Sequence, residues 1–169
     1  MIGAIDCTHV RIISPDKENA MAFVNRRQFY SINVQAVCDS DALITNIVAR
    51  WPGSTHDSRI FENSNIAGKL RDGVLNGILL GDSGYACRAY LLTPILKPKY
   101  AGEVHYNTAH RRTRCIIERC FGLLKRRFPC LHLGLRTALA NSLVIIVATA
   151  VLHNFALIHR EQDLDEDIV

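Results

Sequence analysis

Hydrophobic periodicity changes once along this chain, and the change limits the folds open to it. Up to about residue 81 the apolar residues come in short, β-branched runs. From about Thr108 to Phe128 they fall instead on one helical stripe, with Ile117, Phe121, Leu124 and Phe128 at i, i+4, i+7 and i+11. The first run, MIGAIDCTHVRII, closes at Pro15 and suits a central strand. FYSINVQAVC (residues 29–38) and ALITNIVARW (42–51) are two more strands. Asp39, Ser40 and Asp41 between them predict an antiparallel hairpin. Pro52-Gly53-Ser54-Thr55 ends the third strand and offers an N-cap for a helix over about Thr55 to Asn63, with a second short helix after it. Residues 77–81 predict a short buried strand ending in the turn Gly81-Asp82-Ser83-Gly84, and Pro94 and Pro98 mark an extended loop. Pro129 stops the first long helix; a second, from about Ala138 to Arg160, is apolar on most sides and is expected to pack deep or cover a sheet face. This order describes one α/β domain over residues 1–160, a mixed sheet flanked by helices.

Composition removes several alternatives. With 49% hydrophobic and 21% charged residues in 169, the chain is neither collagen, coiled coil nor wholly disordered. The run 138–158 is interrupted by Asn141, Ser142, Thr149, His153 and Asn154, so it reads as a core helix rather than a membrane span. The net charge of +4 hides an uneven distribution: residues 161–169 carry five acids and no base, which leaves 20 bases against 11 acids in residues 1–160. The tail reads as disordered, and the basic body favours a polyanionic partner, nucleic acid or a membrane surface, without choosing between them. Six sparse cysteines fit reduced, intracellular thiols.

Four acids stand out. Asp6 sits among Ile2, Ala4, Ile5 and Val10 in a strand, where a lone carboxylate is costly without a partner. It is either a structural Asp bonded to Thr8 or to a lysine, or a metal ligand. Asp82 follows a buried strand, where a turn role and a ligand role are compatible. Glu118 is the sole acid between His110 and Phe128, among Arg111, Arg112, Arg114, Arg119, Lys125, Arg126 and Arg127. It suits an Arg114–Glu118 helical pair or a carboxylate beside phosphate-binding bases. Asp57, three residues after Ser54, fits a capping box. Phosphodiester cleavage can run on two Mg²⁺ ions held by three or four carboxylates, with no protein nucleophile. Cys115, Cys120, Cys130 and His132 depart from structural zinc spacing and read as packed thiols. His153 and Asn154 read as a core histidine with a capping asparagine.

In order, IGAIDCTHVRI, NVQAVCD, WPGSTHDSRIF, LLGDSGYAC, LLTPILKP, HYNTAHRRTRCIIERCFGLLKRRFPCL and VLHNFALIH resemble the catalytic domain of PIF/Harbinger transposases and Harbinger-derived nucleases. The resemblance implies a ribonuclease H-like DDE fold, with catalytic acids on the first strand, after the fourth strand and on a later helix. By motif these are Asp6, Asp82 and Glu118, with Asp57 a further acid near the metal. It implies Mg²⁺ or Mn²⁺ as cofactor, DNA as substrate, the seven bases Arg111 to Arg127 as backbone contacts, and the nucleus as compartment, with the cytoplasm as an alternative. It also implies a separate Myb-like DNA-binding partner, and a second copy of the chain is a further candidate. Family members carry a helical region ahead of the first catalytic Asp, and a chain opening inside a strand reads as the back part of a longer protein. Recognition of transposon ends is therefore not expected of this chain alone. The rival expectations are a domesticated, non-catalytic DNA- or protein-binding module, and a truncated transposon remnant.

Overall fold

The computed structural model describes residues 1–15 and 18–159. The acidic tail at 161–169 and Arg160 lie outside them. Five strands form one mixed sheet: β1 (Gly3–Arg11), β2 (Ser31–Cys38), β3 (Ile44–Pro52), β4 (Leu79–Leu80) and β5 (Leu91–Leu92), in the order β3-β2-β1-β4-β5. β1, β2 and β3 pair antiparallel, while β4 and β5 run parallel to β1. The predicted β2–β3 hairpin is present. Its turn is locked by Asp39, whose carboxylate accepts the amides of Asp41 and Leu43 at 2.9 and 3.0 Å.

Helices cover both faces. On one lie α3 (Ala101–Arg127) and α5 (Leu139–Ile158), joined by the short α4 (Cys130–Leu133); Ile117, Phe121, Leu124 and Ile146 pack against Val10, Ile32, Val34 and Ala36. On the other lie α1 (Asp57–Glu62) and α2 (Asn65–Arg71), where Phe61, Ile66 and Leu70 meet Ile5, Val37, Tyr85 and Leu91. α2 is capped by Ser64, whose hydroxyl accepts the amide of Ala67 at 3.3 Å.

The structure adds one strand and corrects the start of one helix. Residues 91–92, to which the sequence assigns no element, form β5, a strand created by pairing with β4 and too short to show a period of its own. α3 starts at Ala101 rather than Thr108 because its first turns are held by side chains rather than by an apolar stripe. Glu103 accepts the amide of Tyr100 at 3.1 Å, and Asn107 clasps both backbone groups of Ile95 at 2.9 Å. α5 covers a sheet face, as expected, and buries one side, with Ser142, Ile146, Thr149, Ala150, His153 and Ala156 inward and Val144, Val151, Phe155 and Ile158 outward. Among the described residues α5 is the one helix long and apolar enough, by length and composition, to cross a membrane; a third of its most apolar stretch is buried.

The topology itself places a site. The chain runs outward from β1 through β2 and β3, then crosses back to lay β4 on the other side of β1. On β1, β4 pairs only with Gly3 and Ala4, so among the described residues β1 from Ile5 to Val10 has no strand on that side before Leu135 bonds the Arg11 carbonyl at 2.9 Å. Such a switch point, beyond the carboxyl end of parallel strands, is where open α/β sheets bind their ligands.

Candidate active site

Three of the four predicted acids converge on this notch. Asp6 lies on β1 just past the last residue paired to β4, Asp82 lies two residues beyond β4, and Asp57 opens α1. One carboxylate oxygen from each lies within 4.8 Å of the other two, and all three side chains are half-buried.

Each acid is fixed by a local donor. The amide of Cys7 donates to Asp6 Oδ1 at 2.8 Å, and the amide of Gly84 donates to Asp82 Oδ1 at 2.8 Å. The turn role expected of Asp82 thus coexists with its place in the cluster. Asn33, from the buried strand β2, donates through Nδ2 to Asp57 Oδ1 and to the carbonyl of Thr55, both at 2.9 Å. The capping box expected of Ser54 and Asp57 does not form: His56 is the N-cap of α1 and Asp57 is its first residue. Chain entry into α1 depends on Gly53, where a Cβ would collide with Ser31 Oγ and with the carbonyls of Phe23 and Ser31.

Among the described residues Asp6 is bonded neither to Thr8 nor to a lysine. Its partner is Arg114 of α3, whose Nη1 donates to Asp6 Oδ2 at 2.8 Å. Arg114 also pairs with Glu118 one turn along the helix, as the i, i+4 spacing predicts. Glu118 therefore stands outside the group of three; its side chain is 58% exposed and reaches Asp6 only through this arginine. Burial pushes Asp6 up to about 6, with the charge of Asp82 adding to the rise and the Cys7 amide and Arg114 opposing it. A carboxylate that burial holds back from ionisation, as at Asp6, gains from a bound cation.

The metal fit can be tested on distance and donor chemistry. Two oxygens on one Mg²⁺, each at about 2.0–2.1 Å, stand at most about 4.2 Å apart. A spread of up to 4.8 Å exceeds this by only about half an ångström, and the donors are hard carboxylate oxygens. The zinc alternative finds no support: Cys115 and Cys130 are exposed while Cys120 is buried, and among the described residues the three aspartates are the one such group.

The predicted bases divide. Arg111, Arg112, Arg119 and Arg126 are exposed on α3. Arg114 joins the acids, Arg127 donates to the carbonyl of His153 at 3.3 Å, and Lys125 donates to Thr8 Oγ1 at 2.7 Å and to the carbonyl of His9 at 3.0 Å. His153 is fully buried, as expected, with Nε2 4.0 Å from Cys120 Sγ. Asn154 is no cap: it clamps the amide and carbonyl of Ile44, both at 2.8 Å, tying α5 to the start of β3. The residues missed from the sequence are Asn33, visible only as a polar position inside an apolar run, and Arg26, whose guanidinium lies 3.1 Å from the ring nitrogens of His56. Arg26, His56, Asn33, Asp57 and Asp82 line one cavity of about 440 Å³.

Comparison with known proteins is consistent with this geometry. Residues 5–154 match a family model described as DDE superfamily endonuclease. The chain is 38% identical over 164 residues to the Mus musculus protein named "Putative nuclease HARBI1", covering 94% of this chain and 46% of that protein. The Xenopus laevis protein of the same name is 34% identical over 170 residues, covering 98% and 48%. The Arabidopsis thaliana "Protein ALP1-like" is 28% identical over 181 residues, covering 97% and 45%. The chain thus spans about half the length of the curated relatives it matches. No solved structure matches it.

Proposed function

The chain belongs to the DDE superfamily endonucleases, and from that premise we propose that it is a divalent-metal-dependent DNA nuclease of the transposase-derived kind. The observation that carries this reading is the meeting of Asp6, Asp57 and Asp82 at the β1–β4 switch point. The proposed fold is ribonuclease H-like; the strand order and the acids on β1, after β4 and on α3 support it.

Asp6, Asp57 and Asp82 would hold Mg²⁺ or Mn²⁺. When bound, the cation supplies positive charge for the attacking and leaving oxygens of a phosphodiester. The protein's own groups do the positioning. Backbone amides and Asn33 aim the three carboxylates before any cation arrives, so little reorganisation is left for the reaction. Arg114 holds Asp6 and Glu118 on one guanidinium, and Glu118 is the proposed third catalytic acid, brought to the centre when that arginine yields Asp6. Arg111, Arg112, Arg119 and Arg126 are proposed to meet backbone phosphates along α3, and water or a DNA 3′-hydroxyl attacks the phosphorus. The proposed compartment is the nucleus, with site recognition left to a Myb-like partner.

The test is nicking of supercoiled plasmid in Mn²⁺ or Mg²⁺, with chelator as control. Wild type should nick, and Asp82→Asn, folded to the same extent, should lose at least 100-fold in rate, the scale of losing one preorganised charge-stabilising group. Equal nicking by both proteins rejects the reading. Metal binding without nicking favours the non-catalytic module.

A further inference from the structure

The cavity beside the acids is the middle of a longer trough. On one side it shares His9 and Arg26 with a concavity of about 710 Å³ walled by Arg11, Arg27, Lys125 and His132. On the other it shares Asp82 and Ser83 with one of about 450 Å³ walled by Arg111 and Arg114. Every carboxylate lining the three lies in the middle or at its junction, namely Asp57 and Asp82, while arginines line both outer parts.

We propose that this trough is the track of one DNA strand, and that Arg11, Arg26 and Arg27 bind the phosphates on the β1 side of the scissile bond. The proposal rests on the nuclease reading and deepens it. It assigns strand binding to residues outside α3, the helix to which the sequence directs attention.

The chemistry of the large concavity selects a polyanion. Arg11, Arg26, Arg27 and Lys125 line it with no acid among its walls. Lys125 is already tied to Thr8 and to the His9 carbonyl, so it stiffens the wall and adds field rather than a free hand. Arg11 lies over the ring of Phe29, its guanidinium carbon 4.4 Å from the centroid, a contact that uses none of its donors. Arg27 is exposed at the mouth. Arg26 rests on His56, next to Asp57, and so spans the step from the basic part to the acids. An extended chain of phosphates, one seated at the acids and its neighbours on the arginines, matches this alternation of charge. A single small anion would occupy only one part of it.

The experiment is fluorescence anisotropy of a short labelled DNA duplex with the whole chain, in chelator, over a series of salt concentrations. Removing chelated metal from the assay separates binding from cleavage. Each phosphate contact contributes about 0.9 to the slope of log K against log salt, so Arg11→Gln/Arg27→Gln should make the slope shallower by about 1.8. Arg50→Gln/Arg59→Gln removes the same charge from two exposed arginines flanking Trp51 and should leave the wild-type slope. If the Arg11 change disturbs folding through Phe29, Arg27→Gln alone should lower the slope by about 0.9. An unchanged slope in the trough variants, or an equal loss in the control, overturns the proposal. So does a wild-type protein that does not bind the duplex, in which case a Mn²⁺ response of the acids in the same preparation leaves the metal centre standing.

Discussion

The notch between β1 and β4 and the middle of α3 both carry acids next to bases, and they treat them in opposite ways. In the notch, apart from the Arg114–Asp6 bond, the donors to Asp6, Asp57 and Asp82 are neutral: the Cys7 and Gly84 amides and the Asn33 side chain. They fix the carboxylates without cancelling their charge. On α3 the donor to Glu118 is an arginine, which cancels it. Neutral donors thus build a cation site, while charged donors build an ion pair, and Arg114 is the one residue that belongs to both regions.

Arg114→Gln is therefore the change that separates the regions most. Without metal it should cost about 1.5–3 kcal/mol of stability, the range for a hydrogen bond to a charged group, because Asp6 loses its charged partner in a half-buried site. It should also tighten Mn²⁺ binding, since a competing cation has gone. Thermal unfolding and Mn²⁺ titration calorimetry read the two effects, and a loss of Mn²⁺ affinity would show that Arg114 supports the centre rather than competing with it. Gly53→Ala tests the notch from behind. The added methyl meets Ser31 and the Phe23 carbonyl, so about 1–3 kcal/mol should be lost in urea unfolding, as overpacking usually costs. A neutral result would mean that the entry to α1 is looser than its contacts require. Glu118→Gln is the smallest effect: an exposed helical pair contributes about 0.3–0.5 kcal/mol, and the Mn²⁺-induced stabilisation should survive. If it vanishes instead, Glu118 is already part of the centre and the contrast between the two regions fails.

What the sequence made legible follows from distance along the chain. β1 to β3, α1, α2 and the apolar stripe of α3 show through because their signals are local periods and turn residues. β5 exists only through its pairing with β4, and α5's open side only through what the sheet leaves uncovered, so neither is written locally. Asp6 announces itself as a charge in an apolar strand, and Arg114–Glu118 as a helical spacing. The bond from Arg114 to Asp6 joins residues 108 apart, and Asn33 reaches Asp57 across 24, so both needed the fold. Asp57 was carried by family resemblance; its local signal, the spacing from Ser54, pointed to a cap that does not form.

The most direct measurement is thermal unfolding of wild type and Asp82→Asn with and without Mn²⁺. At a concentration 100-fold above its dissociation constant, a cation bound only by the native state should add about 2.7 kcal/mol to wild type. The expected result is that gain in wild type and its loss in Asp82→Asn. An equal response in both proteins, or none in wild type, would contradict the assignment of a metal centre to the notch.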